Sequence, residues 1–86
     1  MPHPTEQELR ERYSERQANL AERECQAWRE YLATTRSDDP VRYEQAEPFA
    51  WRRLKRMLAE LAGDRRRVEF EFDRALVEAR GISKAS

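Results

Sequence analysis

The sequence predicts an all-α protein: an antiparallel two-helix hairpin, with helices at about 5–36 and 40/48–80, that self-associates into a four-helix bundle. The first stretch contains no Gly or Pro, as expected for one long helix. Apolar residues over 54–79 recur at spacings of three and four, which places them on one helix face. A short polar segment before Pro40 joins the stretches, and a short connection makes two long helices antiparallel neighbours.

The first helix is expected to begin with a capping box formed by Thr5 and Glu8. At 100° per residue, its apolar arc is narrow near the N-terminus and wide from Leu20 onward. Trp28 and Leu32 belong to the wide part, so we expect this half of the helix to be buried on two sides. Cys25 lies on the same arc and is interpreted as a small core residue.

The second helix carries both a start signal and a breaker. The Ser-Asp-Asp run at 37–39 can supply its N-cap, and Pro40 suits its first turn. Pro48 should kink the helix or start it afresh. The sequence therefore predicts a short helical piece at 40–46, followed by a main helix over 48–80.

Gly63 could end one helix, and residues 68–72 alternate as a strand would. The helical phase is nevertheless the same on both sides of Gly63, and a lone strand has no partner, so we favour a continuous helix. Gly81 is predicted as its C-cap. The chain, 1–86, is then one domain with frayed tails at 1–4 and 82–86.

One stripe on the second helix is predicted to pack against the first helix. The polar Arg65 interrupts this stripe, and Glu24 is the acidic residue best placed to form a buried pair with it. The predicted helix-packing seam comprises Trp28, Leu32, Trp51, Leu54, Leu58, Leu61, Val68 and Phe72.

A second apolar line lies on the face of the second helix opposite the stripe. Exposed apolar residues in a line form a candidate contact surface for another protein, although Phe70 and Val77 could instead cover the hairpin's open end. The candidate partner surface comprises Phe49, Ala59, Gly63, Phe70 and Val77.

Composition favours oligomerisation over a large monomeric core. Apolar residues make up 38% of the 86 residues and charged residues 40%, with a mean hydropathy of −1.11. Such a chain has little apolar material for a core, so a homo-oligomer, with a dimer favoured, is a natural supplement. Net charge is zero, but residues 1–47 carry seven basic and eleven acidic side chains, whereas 48–86 carry ten and six. This split supports antiparallel pairing.

No residue constellation predicts an enzyme, a cofactor or a metal site. The only histidine, His3, lies in the N-terminal tail, and no carboxylate has the Glu-x-x-His spacing of di-metal bundles. A single Cys25 cannot form an internal disulfide, and two glycines are too few for a phosphate-binding loop. No apolar run approaches the roughly 18 residues that span a bilayer, and no signal-peptide segment is seen, so we expect no membrane association and a cytoplasmic location.

These features favour a non-enzymatic helical interaction protein that acts as an adaptor, scaffold or accessory subunit with a protein partner. The alternative is a small nucleic-acid-binding regulator that uses basic side chains on the second helix to follow a phosphate backbone. Acidic residues are mixed into the same helix and can form pairs such as Arg65–Glu69 and Arg67–Glu71, which favours a solvated charged face. The candidate basic ridge comprises Arg52, Arg53, Lys55, Arg56, Arg66 and Arg67.

Overall fold

The computed structural model describes residues 4–36 and 39–85, with side chains as far as 81. Two helices form the described chain: α1, Glu6–Thr35, and α2, Pro40–Ala85. They pack as an antiparallel hairpin 68 Å long and 16 Å wide in both other directions, and no strand occurs in the described ranges. The prediction of an all-α two-helix hairpin is confirmed.

The start of α1 follows from its cap. Thr5 has an extended backbone, and its Oγ1 accepts a hydrogen bond of 3.1 Å from the Glu8 N–H. The Thr5 carbonyl accepts the first helical bond, from Leu9, at 3.0 Å. The threonine cap predicted from the sequence is confirmed, and the acidic first turn suits the positive end of the helix dipole.

The start of α2 is set by Asp39 and Pro40. The Asp39 carboxylate accepts a hydrogen bond of 3.0 Å from the Val41 N–H. The backbone carbonyl of Asp39 accepts a second one, also of 3.0 Å, from the Tyr43 N–H. Pro40 occupies the first helical position, where the missing N–H costs nothing. Of the three candidate capping residues, Asp39 caps the helix, while 37 and 38 lie outside the described residues.

The predicted break at Pro48 is wrong, because α2 is one helix through this residue. Proline removes one N–H from the helical ladder but keeps a helical φ, so a break is not obligatory. Two residues further on, Ala50 is buried, and so is Leu54. Their packing holds the helix in register across the proline.

α2 also continues through Gly63, as predicted, and beyond Gly81, which was expected to end it. A glycine C-cap needs a positive φ, and none of the described glycines has one. The prediction that Gly81 is a C-cap is therefore wrong, and helical backbone extends to Ala85. Residues 1–3 and 86 lie outside the described residues, and fraying of the two tails stays a prediction.

The core is a single layer between the two helices. Leu20, Leu61 and Val68 form its central cluster, with Tyr13 and Leu58 packed partly against it. The Tyr13 ring stacks on Phe72, with ring centroids 4.4 Å apart and planes inclined by 21°. The buried apolar side chains are Leu9, Leu20, Ala27, Ala50, Leu54, Leu61 and Val68. Neither helix, as described, is long and apolar enough to cross a membrane.

Candidate interaction surfaces

The two sides of the helix contact differ in chemistry, and one of them is charged. Three ion pairs join α1 to α2 on this side, and their residues line the grooves along it together with Leu20, Val68 and Ala27. The pairs are Arg16–Glu71, Arg23–Asp64 at 3.1 Å and Arg53–Glu30 at 3.6 Å. Because these pairs are largely exposed to solvent, they set the register of the hairpin more than its stability.

The opposite side carries an aromatic cluster near the turn end. Trp28 meets Tyr31 edge to face at a centroid distance of 6.1 Å, and Tyr31 meets Trp51 at 6.0 Å. The Tyr31 hydroxyl donates a hydrogen bond of 3.1 Å to Glu47. Burial first, and then this bond to Glu47, raise the pKa of Tyr31 above its ordinary value of 10.0. Tyr31 was not singled out from the sequence. The signal that could have identified it is its position three residues after Trp28, which places both rings on the same side of α1.

We call this side the tryptophan face. Its α1 residues are spaced by four, three and four, and its α2 residues are seven apart, so each set forms one line along its helix. Each tryptophan keeps a large exposed fraction, 40% for Trp28 and 42% for Trp51. The tryptophan face comprises Ala21, Cys25, Trp28, Leu32, Trp51 and Leu58.

Two members of this face correct the predicted seam. Trp28 and Leu32 were expected to pack against α2, but Leu32 is 60% exposed, and Trp28 is 40% exposed with its ring against Tyr31 of the same helix. Cys25, expected in the core, is exposed. α1 has one helical neighbour and buries one stripe against it, which includes Leu20 and Ala27. The wide apolar arc of α1 is real, but half of it has no neighbour within the hairpin.

The remaining seam residues, all on α2, lie on the contact with α1 or beside it. Leu54, Leu61 and Val68 are buried. Leu58 and Phe72 are half-buried, whereas Trp51 is displaced to the edge, and Ala50 takes the buried position beside it. The small side chains of Ala27 and Ala50 let the helices approach closely near the turn end.

Glu24 and Arg65 form the pair predicted from the sequence, but the pair is not buried. Arg65 donates to Glu24 at 2.6 Å, and the two side chains are 36% and 37% exposed. The intrahelical pairs predicted for Arg65 and Arg67 give way to contacts across the seam, because Arg65 binds Glu24 and Glu71 binds Arg16. By helical phase, Glu24 lies between the seam and Cys25, on the side of the tryptophan face.

The candidate partner surface lies on the back of α2, away from α1. Phe49, Phe70 and Val77 are 72%, 64% and 69% exposed, Ala59 is exposed and Gly63 is half-buried. A Cβ added at Gly63 would meet nothing within 4 Å. Phe70 and Val77 therefore do not serve to cover the open end of the hairpin.

The residues of the candidate basic ridge are all exposed, but they do not form a narrow line. At 100° per residue, they spread over roughly 160° of the circumference of α2. Arg53 is already paired with Glu30 across the seam, and Arg67 lies beside Asp64 in the groove of the charged side. This arrangement resembles a solvated charged face more than a track for a phosphate backbone.

Comparison with known proteins gives no match. No family model, no curated protein and no solved structure is similar to this chain. Within the described residues, no group of three or more His, Cys, Asp or Glu side chains could hold a metal ion. His3 lies outside the described part of the chain.

The hairpin exposes more surface than a compact protein of its mass. Its accessible surface is 7214 Å². A globular monomer of 10.3 kDa exposes roughly 5,400 Å² by the usual scaling of area with mass. The excess, about 1,800 Å² for one chain, is about twice the area that each partner buries in a standard protein–protein interface.

Proposed function

We propose that this protein is a non-enzymatic helical interaction protein, which self-associates and serves as an adaptor, scaffold or accessory subunit. The observation that carries this proposal is the excess surface together with its apolar content. Among the residues whose side chains the structure describes, eight large apolar side chains stay exposed, against seven apolar residues in the core, of which two are alanines. The exposed side chains are Trp28, Leu32, Val41, Tyr43, Phe49, Trp51, Phe70 and Val77.

Chain length supports the same proposal. Below about 80 residues a single hydrophobic core rarely provides enough stability, and this chain is close to that size. Its core is one layer between two helices, so association with another helical surface is the simplest way to cover more apolar area. A cytoplasmic location stays an expectation.

Sedimentation velocity over a range of protein concentrations tests the self-association. We expect the hairpin to sediment as a dimer at micromolar concentrations and to dissociate on dilution. A species that has the mass of one chain at every concentration would contradict the proposal. Circular dichroism on the same samples shows whether the helices persist in the dissociated chain.

The partner surface on the back of α2 is tested separately by photo-crosslinking in the native cell. A photoreactive side chain at Phe70 should give a discrete adduct larger than the homodimer, because Phe70 is exposed and apolar. The same group at Gln26, an exposed polar position on α1, is the matched control. Equal adduct patterns from both positions would remove the partner surface.

Nucleic-acid binding remains the alternative, since all six basic side chains of the ridge are exposed. A gel shift at low and moderate salt separates the two functions, because phosphate contacts weaken steeply as salt rises. We expect no shift at either salt concentration. A shift at low salt that is lost in a variant with Arg52, Arg56 and Arg66 changed to Gln would favour the alternative.

A further inference from the structure

We infer that the tryptophan face is covered by a second copy of this chain, in a two-fold symmetric dimer that forms an antiparallel four-helix bundle. The inference rests on the proposed self-association and names its surface. Trp28, Leu32, Trp51 and Leu58 of both copies would form the second apolar layer of the bundle, parallel to the seam inside each hairpin.

The tryptophan face is a better interface than the charged side. Three ion pairs cross the seam on the charged side, and covering them would remove charges from water at considerable cost. The tryptophan face presents two aromatic rings and aliphatic side chains at its centre. Two ion pairs on this side lie at its margins, Glu24–Arg65 beside the seam and Arg80–Glu6 toward the open end of the hairpin. Large aromatic side chains dominate the energetics of protein interfaces, since each buries a large area at a small cost in side-chain entropy.

The tryptophan face is also continuous with the existing core, whereas the back of α2 is not. Tyr31 is half-buried at the seam and touches both Trp28 and Trp51, so a second layer would extend the first without a gap. On the back of α2, Phe49 and Phe70 are 21 residues apart, or roughly 31 Å along the helix. Isolated side chains at that spacing suit contact with an extended partner better than a compact dimer.

The exposed area fits a second copy. Pairing two hairpins that each bury about 900 Å² would give a standard-size interface and remove about half of the excess surface of each chain. The tryptophan face is flanked by Ser14, Gln17 and Lys55, which can form the polar rim that surrounds the apolar centre of most interfaces.

Because of the Glu24–Arg65 pair, the tryptophan faces of two chains can pack against each other. The pair is complete within each hairpin, so the face brings no unpaired charge into a symmetric contact. In the dimer the pair would become buried, and a buried polar pair disfavours shifted or reversed packings in which it would meet apolar side chains. It therefore sets the register of the dimer.

Cys25 is a built-in reporter for this interface, because it is the only cysteine of the chain and is exposed on the tryptophan face. The rate of thiol labelling should fall severalfold as the protein concentration is raised through the dimerisation range. The matched control combines Cys25→Ser with Gln26→Cys, which moves the thiol about 100° around α1, away from the tryptophan face and toward the charged side. Its labelling rate should not change with concentration.

Charge variants then identify the surface by sedimentation velocity. Trp28→Glu and Leu32→Glu should each give a helical monomer, whereas Phe70→Glu on the back of α2 should remain a dimer. Leu32 is the decisive position if Trp28→Glu loses helicity, because its side chain is largely exposed within the hairpin.

A wild-type chain that is monomeric at every concentration overturns both the self-association and this inference. A dimer that survives Leu32→Glu, with Cys25 labelled at a constant rate, overturns only the inference. If Phe70→Glu dissociates the dimer and the Trp28 and Leu32 variants do not, the interface lies on the back of α2, which also overturns only the inference.

Discussion

The pair of substitutions Val68→Ala and Val77→Ala measures how much of α2 the hairpin itself buries. Both valines lie in the same helix and away from the tryptophan face, and they differ in exposure, 5% for Val68 and 69% for Val77. Val68 packs against Leu20 and Leu61 in the central cluster. Each change removes two methyl groups, so the difference in effect reports burial.

The expected magnitudes follow from that exposure. Removing two fully buried methyl groups costs about 1.6 kcal/mol, and incomplete closure of the cavity adds to this cost. Alanine regains about 0.5 kcal/mol through its higher helix propensity. Val68→Ala should therefore lower the free energy of unfolding by about 1.5 kcal/mol. For Val77→Ala the small burial loss and the propensity gain should nearly cancel.

Thermal unfolding followed by circular dichroism, at one fixed protein concentration, is the assay. For a domain of this size, a loss of 1.5 kcal/mol lowers Tm by roughly 6–12 °C, and the Val77 variant should stay within a few degrees of wild type. Equal changes in Tm would contradict the antiparallel register of the seam. A larger loss for Val77→Ala would show that its surface is covered in the purified protein.

Three further experiments test particular contacts. Gly63→Ala should raise the free energy of unfolding by about 1 kcal/mol in denaturant titrations, because the helix is continuous there and the added Cβ meets open space. A lower free energy of unfolding in the variant would argue for a break in the helix at this residue. A double-mutant cycle of Glu24→Gln and Arg65→Gln in the dissociated monomer should give a coupling free energy of about 0.5 kcal/mol between the two side chains, because both are more than one-third exposed. A coupling free energy several times larger would mean that the pair is buried. The raised pKa of Tyr31 stabilises the fold below pH 10.0, and this contribution is lost as pH rises through the folded-state pKa. Alkaline unfolding should therefore be steeper for wild type than for Tyr31→Phe, and identical pH profiles would refute the raised pKa of Tyr31.

Local rules predicted the architecture because the signals lie within a few residues of one another. A threonine followed three residues later by glutamate marks the start of α1, and an Asp-Pro pair marks the start of α2. The spacing of Leu54, Leu61 and Val68 placed the buried stripe of α2 on one face. None of these inferences needs knowledge of a neighbouring helix.

The same local rules were wrong at Pro48 and Gly81, where packing and backbone geometry decide the outcome. A proline inside a helix removes one hydrogen bond and crowds the carbonyl group four residues earlier, and the burial of Ala50 and Leu54 offsets that cost. A glycine ends a helix only where its φ becomes positive, and at Gly81 it does not. The residue type limits the backbone conformations that a position can adopt, and the packing around the position determines which of them occurs.

By itself, the sequence determined the two helices, their N-caps, the hairpin and the Glu24–Arg65 partnership, because each depends on periodicity, local chemistry or complementary charge. Only the tertiary structure decided which half of the wide apolar arc on α1 is covered. A single helical neighbour buries one stripe, so Trp28 and Leu32 are left on the surface although their sequence pattern resembles that of core residues. Periodicity shows that a face is apolar, whereas the position of the neighbouring helix determines what that face contacts.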